Sequence, residues 1–582
     1  MKIHRSLYPP IDVDLNDNVH NHLFNRPEQK LWPNYTAYID YDTQERRSYY
    51  QFLERTHDAV TGMGTDVSLG GLGLGAEGPE MVGILSENCM DWPVLVNALL
   101  ALTAPFSLLS FYSTKFELSH GMRLSKLTRL FVHPNALPLA LEVARELDLS
   151  EERIYVLGGS VPGRRSLDDI IRLVRTKKLP RVGVRPAQRD TLAYLVFSSG
   201  TSGLPKGVKI SHGNIIFSLY QCGSAVQEAG KLAPVCVPLL APTLEGIATG
   251  LGFMPMYHSF GLHTICFRTF LAPTTQVILA KWRVEACLDA IHRYRISHLS
   301  LIPSVVYQVL NHPNIEKCDL SAVVSTTCGA AHLPPSMNEK LAGYLPSGTS
   351  VSEGYGMSEI ATMANAAYGQ WDGHVDPVPG SAGILWAGVE ARLVREDGTD
   401  AAVGEVGELY MRGGNTSLGY WDNEKATQET FVDGWVRSGD LFRVDANGRF
   451  FFVERAKDTL KISGTQVSPA EIEDVLIAMP SKVITDIAVA GVHGHGRTSD
   501  ETVPRAWITL SEKGKQLEAT NPGAVIKQLD KWACANLSKF KWLRGGYEIV
   551  QEIPKSPTGK TLRRTLQEQY EKRRRNSSHS KL

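Results

Sequence analysis

Through the middle of the chain, short apolar runs alternate with stretches in which apolar residues return every three or four positions. Residues 81–85 and 192–197 are apolar runs of strand length. The segment 94–111 is the most apolar, but Asn97, Thr103 and Pro105 interrupt it and it is short for a membrane span. It reads as a buried helix followed by a strand. Val284, Cys287, Leu288 and Ile291 fall at helical spacing and give one apolar face. Residues 299–302 then read as a buried strand ended by Pro303. Repeated strand–helix units imply sheets covered by helices, an α/β class. From Gly383 the texture changes to short β segments with Gly and Asp turns, at 390–394, 408–412 and 450–453. After Lys457 a small α+β unit begins. Ser468-Pro469-Ala470-Glu471 predicts a helix start with a capping box and proline at the first helical position, and Ile472, Val475 and Leu476 then face a core. A domain boundary is expected near 455–457, dividing the chain into 1–456 and 457–582.

Composition removes several classes. With 582 residues the chain can bury a large core and is expected to split into domains. Lysine plus arginine number 61 and aspartate plus glutamate 61, a net charge of +0, which argues against a nucleic-acid partner. The basic run from Lys572 to Arg575 reads as a solvated tail. The 8 cysteines are scattered with no CxxC pair, so neither a zinc site nor a disulfide framework is suggested. The first residues lack the apolar stretch of a secretory signal. The last three, Ser580-Lys581-Leu582, match a peroxisomal address, so an import receptor is an expected partner and the peroxisome the expected location. Gly73, Gly75 and Gly78 match GxGxxG, but they precede a strand instead of following one, which removes the dinucleotide reading.

The strongest chemical signal is SSGTSGLPKG at 198–207. An apolar strand runs into Ser198, Ser199, Gly200, Thr201 and Ser202, and Lys206 follows. Glycines let backbone N–H groups approach an anion, hydroxyls add donors and lysine adds charge. This is a phosphate cradle. It is not a Walker A loop, because Lys206 is followed by Gly207 and not by Ser or Thr.

With that loop the chain resembles the adenylate-forming superfamily of acyl-CoA synthetases, adenylation domains and luciferases, in particular peroxisomal ligases similar to 4-coumarate–CoA ligase. Further motifs follow in the family's order: PMYHSFG at 255–261, TCGAA at 327–331, EGYGMSE at 353–359, GWVRSGD at 434–440, VERAKDTLK at 453–461 and PKSPTGK at 554–560. The resemblance implies a large N-terminal domain of two αβ-layered sheets plus a distorted β-barrel, and a small mobile α+β C-terminal domain. It implies ATP and Mg²⁺, a carboxylic acid substrate and coenzyme A as acceptor. By the same resemblance Lys560 bridges carboxylate and α-phosphate, Glu359 binds Mg²⁺, and Ser358 offers the phosphate a hydroxyl. Tyr355 stacks on adenine, with Ala330 and Ala331 as the opposite wall, and Glu353 and Gly354 belong to the same segment. Asp440 accepts the ribose hydroxyls and Arg455 supports that end. His258 gates the acid site, lined by Tyr257, Ser259, Phe260, Gly329 and Ala330. Lys457 falls at the hinge, Lys461, Ser463 and Gly464 on the pantetheine tunnel, and Lys281 at a CoA phosphate position. Three residues depart from the family pattern: Glu454 for Asp, Ser463 for Lys, and His332 for a common proline. Other readings are a luciferase-like monooxygenase, a stand-alone adenylation enzyme loading a carrier protein, and a degenerate scaffold. The lysines, Glu359 and Asp440 argue against the last. No carrier motif follows Lys560.

Overall fold

The computed structural model describes residues 2–75, 80–198, 205–236, 245–346, 349, 351–365, 378–456, 460–462, 465–494, 502–556 and 559–579. Ser199, Gly200, Thr201, Ser202, Lys457, Ser463, Gly464 and the Ser580-Lys581-Leu582 tripeptide lie outside the described residues, as does the side chain of Lys461.

The alternating apolar runs become two large sheets. The first has the order Ile154–Val156, Arg129–Val132, Val82–Leu85, Phe106–Leu109, Leu192–Ser198, Lys206–Ser211, parallel except for the last strand. The second has nine strands. Its centre, Val351–Met357, Ser325–Cys328, His298–Leu301, Ala248–Gly252, Thr274–Ile278 and Thr36–Asp40, is parallel, and antiparallel strands close both edges. The apolar segment at 94–111 forms the helix Asp91–Ala101, every residue of it buried, and the strand Phe106–Leu109. A helix packed on all sides has no amphipathic stripe to show, which is why its sequence reads as a continuous apolar run. The helix Val284–Tyr294 buries Cys287, Leu288 and Ile291 and ends at Arg295, whose φ is +53°. Each such aliphatic side chain contributes about 1.5–3 kcal/mol when fully buried.

Where the texture changes, a six-stranded antiparallel sheet forms from Glu390–Val394, Val406–Arg412, Trp435–Val444, Phe431–Val432, Phe450–Arg455 and the N-terminal His4–Arg5. Register shifts between Glu408 and Tyr410 and between Leu441 and Phe442 distort it. The C-terminal unit has a three-stranded sheet, Ile484–His493, Thr502–Leu510 and Tyr547–Ile549, with helices Pro469–Ile477, Ala524–Asn536 and Arg563–His579. It has its own apolar core around Ile472, Leu476, Val489 and Leu529. Among the described residues no helix is long and apolar enough to cross a membrane.

One expectation needs correction. Ser468 does cap the helix Pro469–Ile477, its hydroxyl accepting from the Glu471 N–H at 3.3 Å, but the reciprocal half of the box is not the one predicted. The Glu471 carboxylate instead pairs with Lys541, and the buried Glu454 carboxylate takes the Ala470 N–H at 3.0 Å. Glu454 also accepts from the Ser468 hydroxyl at 3.2 Å, so one buried carboxylate satisfies both the cap residue and an orphan N–H of the first turn.

Candidate active site

The C-terminal ends of the parallel strands in both sheets open on one cavity of about 900 Å³, the position that open α/β sheets offer to ligands. Leu192–Ser198 brings Ser198 to it, and Lys206 enters on the neighbouring antiparallel strand. The strand Ser325–Cys328 ends in Gly329, Ala330, Ala331 and His332, and Val351–Met357 carries Glu353, Gly354 and Tyr355 into Ser358 and Glu359. A Cβ on Gly329 would stand 3.3 Å from the Gly354 carbonyl oxygen, a tight contact that the two strand ends would have to relieve by a few tenths of an ångström. Ala330 follows with φ +69°, a left-handed conformation that is uncommon for alanine and typical of a constrained functional loop.

Lys206 and Glu359 share a third residue. The Lys206 ammonium lies 4.9 Å from the centre of the Tyr420 ring, and the Tyr420 hydroxyl donates to Glu359 Oε1 at 2.7 Å. Glu359 is buried apart from the face it turns to the cavity. Cation, ring and carboxylate are thus fixed relative to one another before any substrate arrives. A buried carboxylate that faces the cavity shared with the Lys206 ammonium and Ser198 is a donor set that suits Mg²⁺, which takes few protein oxygens and completes its shell from phosphate and water.

On the antiparallel sheet, Asp440 in Trp435–Val444 lies opposite Arg455 in Phe450–Arg455, with Arg455 Nε 3.7 Å from Asp440 Oδ1. The Tyr355 hydroxyl donates to Asp440 Oδ2 at 2.5 Å, and the Tyr355 ring meets Phe442 edge-on at 4.8 Å. Burial, and then the neighbouring Asp440 charge, push the Tyr355 phenol well above its ordinary pKa, so it remains a donor. Glu353 accepts from Asn338 Nδ2 at 2.9 Å and from the Gly380 N–H at 2.7 Å. It forms part of the cavity wall, and burial raises its pKa.

His258 caps the short helix Ser259–Leu262, its Nδ1 accepting the Phe260 N–H at 3.3 Å. Burial first, and the charge of Lys560 second, lower its pKa to about 4. The imidazole is therefore neutral at physiological pH, and Lys560 is close enough to act on it. Lys560 sits in the C-terminal unit on a turn closed by the Gly559 N–H to the Ser556 carbonyl oxygen, 2.8 Å, and by the Ser556 N–H to the Lys560 carbonyl oxygen, 2.8 Å. Gly559 has φ +79°, and a Cβ there would stand 2.8 Å from Ile302 Cδ1 and 2.9 Å from Ser304 Oγ. Both properties call for glycine, and they bring the lysine turn down onto the start of the helix Pro303–Leu310. Tyr257, Ser259 and Phe260 line the cavity together with Leu108, Leu109 and Tyr307.

Most of the residues read from the sequence therefore meet in one place: Lys206, His258, Glu359, Asp440, Arg455 and Lys560 all line the cavity. Lys281 does not join them. It is exposed, follows the strand Thr274–Ile278 and pairs with Glu87 at 2.9 Å, which raises its pKa. Sequence reasoning missed Tyr420, because it belongs to no motif and reaches Glu359 from 61 positions away. It also missed what His332 does, although His332 was visible as a departure from the family pattern.

The model of the family "AMP-binding enzyme" matches residues 26–421. The chain belongs to that family, the adenylate-forming superfamily of acyl-CoA synthetases. "Acyl-CoA synthetase 7" of Caenorhabditis elegans is 32% identical over 463 residues, 78% of this chain and 79% of the relative. "Probable 4-coumarate--CoA ligase 1" of Dictyostelium discoideum is 29% identical over 511 residues, 84% of this chain and 85% of the relative. Among solved structures, an anthranilate CoA ligase in complex with anthranoyl-AMP has a TM-score of 0.78 at 24% identity, covering 98% of this chain and 99% of its own. At that identity the likeness is one of fold. It agrees with the layered α/β architecture described above.

Proposed function

We propose that this acyl-CoA ligase of the AMP-binding family converts a carboxylic acid and ATP to an acyl-adenylate and pyrophosphate, then passes the acyl group to the thiol of coenzyme A. The observation that carries this reading is the convergence of Lys560, Lys206, Glu359 and Asp440 on one cavity, from three sheets and a separate C-terminal unit. The triphosphate lies along Ser198 and the loop through Thr201 and Ser202 to Lys206. The ribose hydroxyls are received at Asp440, with Tyr355 against the base. The acid enters between Phe260, Tyr257 and Gly329. Its carboxylate oxygen attacks the α-phosphorus, the bond to the bridging oxygen breaks, and pyrophosphate leaves. Lys560 offsets the charge of the two anions as they meet. Glu359 would hold Mg²⁺, which would supply positive charge to the phosphate oxygens. Neutral His258 takes no proton in this step and serves as a cap and wall.

Residues 1–456 and 457–582 act as two domains in this reading, with Lys457 at the hinge between half-reactions and Lys461, Ser463 and Gly464 on the path of the thiol. An aryl or medium-chain acid suits Phe260 and the small residues at 329–331. A peroxisomal location rests on Ser580-Lys581-Leu582, and the product would enter β-oxidation or a secondary-metabolite route.

A panel of carboxylic acids, scored for ATP-dependent AMP release with and without CoA, tests the reading. Thioester formed in step with AMP supports it. Light emission, or AMP release that needs a carrier protein in place of CoA, supports a luciferase-like or carrier-loading enzyme instead. Asp440→Asn is expected to raise the KM for ATP about ten- to a hundredfold, the worth of a charge-assisted hydrogen bond, with a smaller change in kcat. Steady-state kinetics at varied ATP will show whether it does.

A further inference from the structure

The helix Pro469–Ile477 carries acidic side chains with different partners. Glu471 pairs with Lys541 inside the C-terminal unit. Glu473 takes both contacts of Arg563 Nη2, at 2.8 and 2.9 Å, and the Val489 N–H at 2.6 Å, also inside that unit. Asp474 points the other way. Its Oδ2 lies 3.0 Å from Nε2 of His332, on the loop that follows the strand Ser325–Cys328 of the nine-stranded sheet. The His332 ring in turn lies against Phe452, centroids 6.2 Å apart and planes 30° apart. The side chains are 18% and 30% exposed, so solvent screens the pair only in part.

This contact joins the surface that lines the nucleotide cavity to the unit that carries Lys560. It occurs where the sequence departs from the family's proline, a residue that offers no side-chain hydrogen bond. We propose that the His332–Asp474 contact is a clasp holding the C-terminal unit where Lys560 enters the cavity, so that His332 is a positioning residue for acid activation and not for thioester formation. The proposal rests on the ligase reading above.

The charges around His332 agree with it. Burial alone would lower the imidazole pKa. The hydrogen bond and charge of Asp474, with Glu353 and Glu473 behind them, outweigh burial and raise it. Glu353 is itself raised by burial, and Glu473 is pushed up to about 7 by burial against the pull of Arg563. A raised histidine gives its full contribution below the ordinary value and loses it as pH climbs through the raised one. The clasp therefore weakens in alkali.

The test separates the half-reactions. His332→Ala and Asp474→Ala are each expected to lower acid-dependent ATP–pyrophosphate exchange about tenfold. The double variant should fall no further than either single one, and thioester formation from preformed acyl-AMP and CoA should hold or rise. His332→Gln, which keeps a donor without a charge, should recover part of the exchange, and the wild-type advantage over it should shrink from about pH 6 to about pH 9. Amide hydrogen exchange on the full chain should show faster exchange across Pro469–Ile477 in both alanine variants. Equal loss in both half-reactions, additive losses, or unchanged amide protection would overturn the clasp. If wild-type protein exchanges pyrophosphate with no acid, the ligase reading fails, and amide protection still decides the clasp by itself.

Discussion

Lys560→Ala is expected to lower acid-dependent ATP–pyrophosphate exchange by about 10²–10³-fold, while thioester formation from preformed acyl-AMP is largely retained. The argument is electrostatic. A carboxylate and a triphosphate repel each other, and more strongly inside a protein than in bulk water. Lys560 reaches into that space from the 556–560 turn, close enough for its charge to depress the His258 pKa. Once the adenylate has formed, the carboxylate charge is gone and pyrophosphate has left, so the lysine has less to offset. Its side chain is partly exposed, and truncation costs little packing. Exchange of labelled pyrophosphate, run beside a single-turnover thioester assay, measures both steps. Equal losses in the two would remove Lys560 from the role given to it.

The second large effect belongs to Glu359. Glu359→Gln keeps the shape and still accepts the Tyr420 hydroxyl proton, now held at 2.7 Å by the carboxylate, so the fold should be preserved. What is lost is a negative charge beside the triphosphate. Exchange should fall about 10²-fold, and the Mg²⁺ concentration needed for half-maximal rate should rise. A magnesium titration at saturating ATP, with a thermal melt as a control on folding, distinguishes this from a packing defect. An unchanged magnesium requirement would mean that the metal is held elsewhere.

Some of this was legible from residue order and some was not. The strand Leu192–Ser198 and the helix Val284–Tyr294 announced themselves, because period and apolarity are local properties. Lys560, Asp440 and His258 could be singled out because motifs mark them, and the structure brings all three to one cavity. Lys281 belongs to none of those motifs and reads only as a CoA phosphate position; it lies outside the cavity, exposed and paired with Glu87. Tyr420 was invisible because its importance arises only when a distant strand delivers Glu359 to its hydroxyl. The capping box at Ser468 was half right for a similar reason. Glu471 turns to Lys541 instead of back to Ser468, and Glu454, 16 residues from the Ala470 N–H it satisfies, is brought there only by packing.

Gly559 sets a clearance. Its missing side chain lets the lysine turn rest directly on Ile302 and Ser304. A side chain there would meet the Ile302 methyl at 2.8 Å and the Ser304 hydroxyl at 2.9 Å, so they or the turn must shift, and an offset of about 1 Å at the ammonium can cost on the order of 10²-fold in rate. The reach of the lysine is thus gauged by backbone touching side chain, and finer adjustment of that gap falls to the two residues beneath it.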